Sequence, residues 1–277
     1  MPLDRITIVC FGASYAVALG LELVQLAWPR AIQRVACALF GAAGLLAHTI
    51  YLFVQHPTLA SQFGSLLFLA WILAVFYLSE SIHYRQQSRG VFVLPVVLAL
   101  TLWAGKLSGQ WRTKDNGASL GTSHWPLTTS TWGYLHAGLL VLAAVGICIG
   151  FVASVMYLVQ TRQLREKVVP GHGLKLPSLE RLERMNRWAI NLAFPLLTAG
   201  VCIGIGLMFL GGNQILSWAD PRILGTAILW IVFALLLYMR YGVHLNGRRL
   251  AQLTIVAFVL LLFTLASSHT FERGITP

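Results

Sequence analysis

Residues 131–159 read Thr131-Trp-Gly-Tyr-Leu-His136-Ala-Gly-Leu-Leu-Val-Leu-Ala-Ala-Val-Gly146-Ile-Cys148-Ile-Gly150-Phe-Val-Ala-Ser-Val-Met-Tyr157-Leu-Val159. Nothing from Gly133 to Val159 is Asp, Glu, Lys or Arg. A bilayer core of about 30 Å is crossed by roughly 20 apolar residues in helical form, so this stretch spans it with length to spare. Its apolar residues run continuously, without the alternation of a barrel strand, and the reading is helix. Outward from it, seven further runs have the same character: 6–28, 35–54, 62–79, 90–105, 189–210, 223–239 and 250–267. The fourth is short and holds Pro95, which predicts a kink or tilt. The expected fold is an all-α polytopic bundle of about eight transmembrane helices, one integral membrane domain over 1–277. No repeat of 20–50 residues is evident.

Composition agrees. The 277 residues are 57% hydrophobic and only 10% charged, against about 25% charged in an ordinary soluble domain. That excludes a disordered chain and makes nucleic acid a poor partner for the +11 net charge. The run 6–28 is too long, and too poor in preceding basic residues, for a cleavable signal. Cys10, Cys37, Cys148 and Cys202 each sit inside an apolar run with no CxxC pair. They read as small buried hydrophobes rather than a redox or zinc site.

The basic residues orient the bundle. Fourteen of the twenty Lys and Arg fall in the loops joining spans 1–2, 3–4, 5–6 and 7–8, from Arg30 and Arg34 through Arg162, Arg165, Arg181, Arg184 and Arg187 to Arg240, Arg248 and Arg249. Six, Arg5, Lys106, Arg112, Lys114, Arg222 and Arg273, fall on the other side. The positive-inside bias then makes the fourteen cytoplasmic and turns both termini outward. An outer loop from Lys106 to Trp132 carries Trp111, Trp125 and Trp132. On the inner side, Ser178 can cap a helix that puts Leu179, Leu182 and Met185 on one face. The segment to Trp188 reads as a basic amphipathic helix on the cytoplasmic membrane surface before span six.

Polar groups inside the spans are costly and therefore informative. Glu22 lies in span one, nearer its inner end. His48 falls in the outer half of span two, His136 three residues into span five on the outer side, and His269 just beyond span eight, also outside. Three histidines thus share a side of the membrane. A neutral imidazole offers one acceptor nitrogen, suited to Fe, Zn or Cu, and two facing imidazoles form an axial pair for haem. A single buried histidine also serves as interhelical glue, and tryptophans at the outer boundary also form the ordinary interfacial belt. His48 and Glu22 form a conceivable proton relay, but at different depths. Gly146-x3-Gly150 and Gly200-x3-Gly204-x-Gly206 are small-residue motifs for close helix approach, with no chemistry of their own.

Leu179-Glu-Arg-Leu182, Phe194-Pro-Leu-Leu-Thr198-Ala-Gly200 and Gly204, then Trp218-Ala-Asp220-Pro221-Arg222, a Trp230-containing helix, Gly247-Arg-Arg249 and a last helix ending at His269, resemble the CcsA/HemX-like cytochrome c assembly family. His136 opening span five matches in place, and the resemblance covers roughly 130–271. It implies a multi-pass protein of the inner or plasma membrane that holds haem at its outer face. The haem is b-type and non-covalent, awaiting attachment to apocytochrome c, with a second assembly membrane subunit as partner. His136 and His269 are then the axial ligands, Trp218, Asp220 and Pro221 belong to the tryptophan-rich loop beside the ring, and His48 matches an intramembrane histidine on a haem path. At most the chain is one component of a haem-attachment complex, and no catalytic residue is assigned.

The loop departs from the full family pattern. It keeps one tryptophan, has Arg222 for lysine and Ile223 for the following glutamate, while Tyr238 stands where span seven carries a histidine. These departures bring HemX-type accessories of haem biosynthesis closer. Beside these stands a reading from another class, a small proton-coupled transporter using Glu22 and His48.

Overall fold

The computed structural model describes residues 7–28, 31–59, 61–83, 90–117, 127–166, 176–210, 221–242 and 247–267. Eight helices account for nearly all of them: α1 (Ile8–Ala27), α2 (Ala31–Gln55), α3 (Gln62–His83), α4 (Gly90–Gly117), α5 (Leu127–Arg165), α6 (Leu179–Leu210), α7 (Pro221–Tyr241) and α8 (Gly247–Ser267). Each is long and apolar enough to cross a membrane, and no strand occurs among the described residues. The all-α, eight-span expectation holds. Large apolar side chains such as Val9, Ile32, Phe53, Leu102, Phe209 and Phe263 point away from the protein. That is unfavourable in water and appropriate against lipid.

The helices form two compact units, α1–α4 and α5–α8. In the first, α1 packs on α2 and α4, α2 on α3, and α3 on α4. Phe11, Tyr15, Leu66, Leu67, Leu73, Tyr77, Leu94 and Leu100 fill its core. α2 ends where His56 turns to a left-handed φ of 43°, donating its N–H to the Leu52 carbonyl, and Pro57 prevents resumption. In the second unit α7 packs on α6 and α8. α5 meets α6 where a Cβ on Gly146 would lie 2.9 Å from the Ala193 Cβ, and meets α8 where one on Gly150 would lie 3.3 Å from Thr254. The Gly146-x3-Gly150 motif thus brings helices together as expected. Phe151 and Phe258 stack beside it, with centroids 3.9 Å apart.

Two boundaries differ from the sequence reading. α4 continues past its apolar window through Lys106 to Gly117, and α5 begins at Leu127, so much of the expected 106–132 loop is helical. Hydropathy measures how much helix a bilayer can cover, whereas helix hydrogen bonding continues until the backbone is interrupted. Likewise the 179–188 segment is no separate surface helix but the first three turns of α6. No breaker separates them from the span, and Ser178 starts the helix, its carbonyl and Oγ accepting from the Leu182 and Arg181 N–H groups. Of its apolar face, Leu182 is fully buried in the unit, whereas Leu179 and Met185 are half-buried.

Candidate functional site

His136 sits in the first half of α5, where Gly200 and Gly204 of α6 face it. Its Nδ1 lies 2.7 Å from the Gly200 carbonyl oxygen. A carbonyl can only accept, so Nδ1 carries the proton and Nε2 keeps its lone pair. This is the arrangement by which a backbone carbonyl orients a metal-ligating histidine and raises its basicity. The ring lies on the backbone of α6. A Cβ at Gly204 would come within 2.7 Å of the imidazole Cε1 and 3.1 Å of Nδ1, so only glycine leaves room. Among the described residues Nε2 takes no hydrogen bond. Trp132 and Tyr134 are exposed on the same end of α5.

The small-residue motif of α6 therefore does more than pack helices. Gly200 lends a carbonyl and Gly204 an absent side chain to the His136 imidazole. Nothing local in the sequence links His136 to residues 64 positions away. The Gly-x3-Gly spacing was the available signal, and only helix pairing reveals what occupies it.

His48 occupies a different environment, in the first unit. It is 0% exposed, stacked on Phe11 with centroids 4.2 Å apart and planes 6° from parallel, and its Nδ1 is 3.4 Å from the Tyr15 hydroxyl. Its Nε2 is buried without a partner. Tyr15 and a neutral His48 hold two protons and share one hydrogen bond, so one donor of the pair finds no acceptor among the described residues. Such an orphan costs about 1–3 kcal/mol.

Glu22 does not join His48. Its Oε1 accepts from the Tyr77 hydroxyl at 3.4 Å and lies against Gly90, the first residue of α4, where a Cβ would be 2.5 Å away. A carboxylate at a helix N-terminus complements the positive end of the helix dipole. Glu22 sits seven residues along α1 from Tyr15, about 10 Å of helix rise. The two groups of the relay reading thus belong to separate contacts, one anchoring α4 and one buried between α1 and α2.

At the arginine-rich end of the second unit, polar groups that the sequence reading missed tie four helices together. Asn186 of α6 donates to the Gly150 carbonyl at 3.1 Å, Ser154 Oγ at 2.7 Å and Thr254 Oγ1 at 3.4 Å. Arg240 of α7, with a side chain only 7% exposed, donates to Asn186 Oδ1 at 3.3 Å and the Glu183 carbonyl at 3.5 Å. Asn186 reads from sequence as one more polar residue of an amphipathic turn. Its partners come from α5, α7 and α8, which no local pattern reveals.

Among the described residues no three His, Cys, Asp or Glu side chains converge as a metal site. Haem iron brings four porphyrin nitrogens of its own and leaves one or two positions for imidazole. His136, with its tautomer fixed and a lone pair free, fits that demand. The enclosed His48 ring presents no face to a large planar ligand in this packing. Pro221 is the first residue of α7. His269, Trp218 and Asp220 lie outside the described residues.

Residues 59–276 match the family described as Cytochrome C assembly protein. The chain is 23% identical to the cytochrome c biogenesis protein CcsA of Gloeobacter violaceus, over 95% of this chain and 90% of that one. It is 25% identical to the CcsA of Trieres chinensis, over 78% and 76%. It is 28% identical to the protein HemX of Brevibacillus brevis, over 75% and 74%. No solved structure matches it.

Proposed function

The chain belongs to the Cytochrome C assembly protein family, and from that premise we propose that it is a multi-pass membrane protein of cytochrome c maturation that holds haem for delivery to apocytochrome c. The observation that carries the haem assignment is the 2.7 Å hydrogen bond from His136 Nδ1 to the Gly200 carbonyl, which leaves Nε2 as an oriented ligand nitrogen. His136 and His269 are the axial pair, and Trp218, Asp220 and Pro221 form the loop beside the ring. In this reading that end of the bundle lies on the outer face of the inner or plasma membrane with both termini outward, an orientation supported by the bias of basic residues in the loops. A second assembly subunit presents the apocytochrome.

When bound, haem supplies the vinyl groups and iron on which thioether attachment depends. The chain's own part is mechanical and electrostatic. The Gly200 carbonyl fixes the His136 tautomer, Gly204 lets the ring lie close to α6, and the aromatic side chains at the start of α5 offer flat apolar surface. His48 serves as an internal residue of the first unit in this reading rather than one of the axial pair.

The test is a Soret band in the protein purified in mild detergent from haem-replete cells, repeated for His136→Ala and His269→Ala. Either substitution should deplete or shift the band. Absence of haem from the unsubstituted protein sinks the holding function, whereas haem surviving both substitutions rejects these ligands alone. Alkaline phosphatase fusions at the chain ends test the orientation.

A HemX-type accessory role in haem biosynthesis is the second reading, favoured by the likeness to HemX of Brevibacillus brevis and by the single tryptophan of the 211–222 segment. It predicts no bound haem but altered levels of haem precursors when the gene is removed.

A further inference from the structure

Two tryptophan–threonine hydrogen bonds occur at corresponding places in the two units. In the first, Trp71 Nε1 of α3 donates to Thr49 Oγ1 of α2 at 2.9 Å, and Thr49 donates onward to the Leu45 carbonyl at 2.7 Å. In the second, Trp230 Nε1 of α7 donates to Thr198 Oγ1 of α6 at 3.0 Å, and Thr198 donates to the Phe194 carbonyl at 2.8 Å. Each is an indole from the third helix of a unit held by a back-bonded hydroxyl on the second. Both tryptophans stand nine residues after the first residue of their helix, and each is followed by isoleucine.

The surrounding register agrees at three positions and differs at −2, where α3 buries Leu69 and α7 exposes Ile228. Relative to its tryptophan, α3 buries positions −1, +3 and +6 as Ala70, Ala74 and Tyr77, and α7 buries the same three as Leu229, Phe233 and Leu236. Five residues before each threonine stands a small residue facing the first helix of its unit. Gly44 receives Tyr15 of α1, and Ala193 receives Gly146 of α5. An imidazole lies at that same helix pair in both. His48, one residue before Thr49, bonds Tyr15 across to α1. His136 of α5 bonds across to Gly200, two residues after Thr198.

We propose that α1–α4 and α5–α8 are two copies of one four-helix design, in which a tryptophan–threonine latch between the second and third helices positions an imidazole held between the first and second. The physical reason is local. An indole N–H away from water needs an acceptor, and for these two half-buried tryptophans the threonine hydroxyl supplies it, fixing the rotation and height of the second helix against the third. In unit two that helix carries the Gly200 carbonyl, so Trp230 and Thr198 are positioning residues for His136. In unit one it carries His48 itself, positioned by Trp71 and Thr49. No repeat of 20–50 residues reveals it, because the two threonines stand 149 residues apart and the two tryptophans 159, and little beyond the threonine and the Trp-Ile pair is kept in sequence. The importance of the His136 station to function rests on the haem reading, but the latch does not.

The test uses the full chain in mild detergent, without added haem. Thr198→Val, Trp230→Phe and their double variant are compared by thermal unfolding, and the corresponding series is made with Thr49→Val and Trp71→Phe. In each unit the double variant is expected to lose little more melting temperature than the worse single, because either change breaks the same bond. Thr198→Ser and Thr49→Ser, which keep the hydroxyl, should restore most of the loss. In 15N-histidine NMR spectra, assigned with His136→Gln and His48→Gln, Thr198→Val should shift the ring nitrogens of His136 and leave those of His48 in place. Thr49→Val should do the reverse. Additive losses, or no rescue by serine, overturn the latch. Coupling in one unit only overturns the repeat. Loss of melting temperature with both imidazole signals unmoved overturns the positioning role. The haem reading fails separately, by the absence of a Soret band.

Discussion

Gly204→Ala tests the His136 site most directly. The new Cβ would stand 2.7 Å from the imidazole Cε1, 3.1 Å from Nδ1 and 3.6 Å from Nε2. Comfortable contact between carbons begins near about 3.5 Å, so the ring has to retreat by roughly 1 Å. Its Nδ1 is now 2.7 Å from the Gly200 carbonyl, and a retreat of that size carries it to the edge of hydrogen-bonding distance. The lost bond costs about 1 kcal/mol, and overpacking of this kind about 1–3 kcal/mol. Alanine's better helix propensity offsets about 1 kcal/mol. The net expectation is a destabilisation of about 1–3 kcal/mol together with loss of the fixed tautomer. Gly206→Ala is the matched control on the same helix, since a Cβ there meets nothing within 4 Å, and it should be neutral or slightly stabilising. Thermal unfolding in detergent reads the first quantity and 15N shifts of His136 the second. Equal melting temperatures for the two variants, with an unmoved His136 signal, refute the close seating of the imidazole on α6.

Three further outcomes follow from the packing. Gly90→Ala should destabilise the protein by about 1–3 kcal/mol, because its Cβ would collide with Glu22 Oε1 and Tyr77; unchanged unfolding would remove the Glu22 anchor of α4. Arg240→Ala should lower the unfolding free energy by about 1–3 kcal/mol, since it strands the buried Asn186 Oδ1. Arg184→Ala, which breaks an exposed pair with Glu180 at 2.8 Å, should cost no more than about 0.5 kcal/mol; a reversed order in side-by-side melts contradicts the network. Tyr15→Phe should cost about 1 kcal/mol, because it removes the shared hydrogen bond while the His48 N–H stays without an acceptor; a loss above about 2 kcal/mol would show that the hydroxyl has another partner.

The sequence alone determined the all-α membrane fold and the number of spans, because insertion into hydrocarbon imposes a composition that needs no knowledge of neighbours. It also singled out His136, since a polar group in an apolar run is conspicuous, and it carried the family pattern around span six. It misjudged the 106–132 and 179–188 segments because apolar length and helix length are set by different forces. Which groups meet is settled by the packing of the helices. Gly204 is one glycine among twenty-five until α5 lies against it, and Asn186 is a surface-like polar residue until three other helices turn toward it. Glu22 and His48 suggested a pair until packing gave each a separate partner. Membrane insertion acts on one helix at a time and is legible in one dimension. Tautomers, clashes and orphaned donors depend on contacts between helices distant in sequence, which arise only when the helices associate.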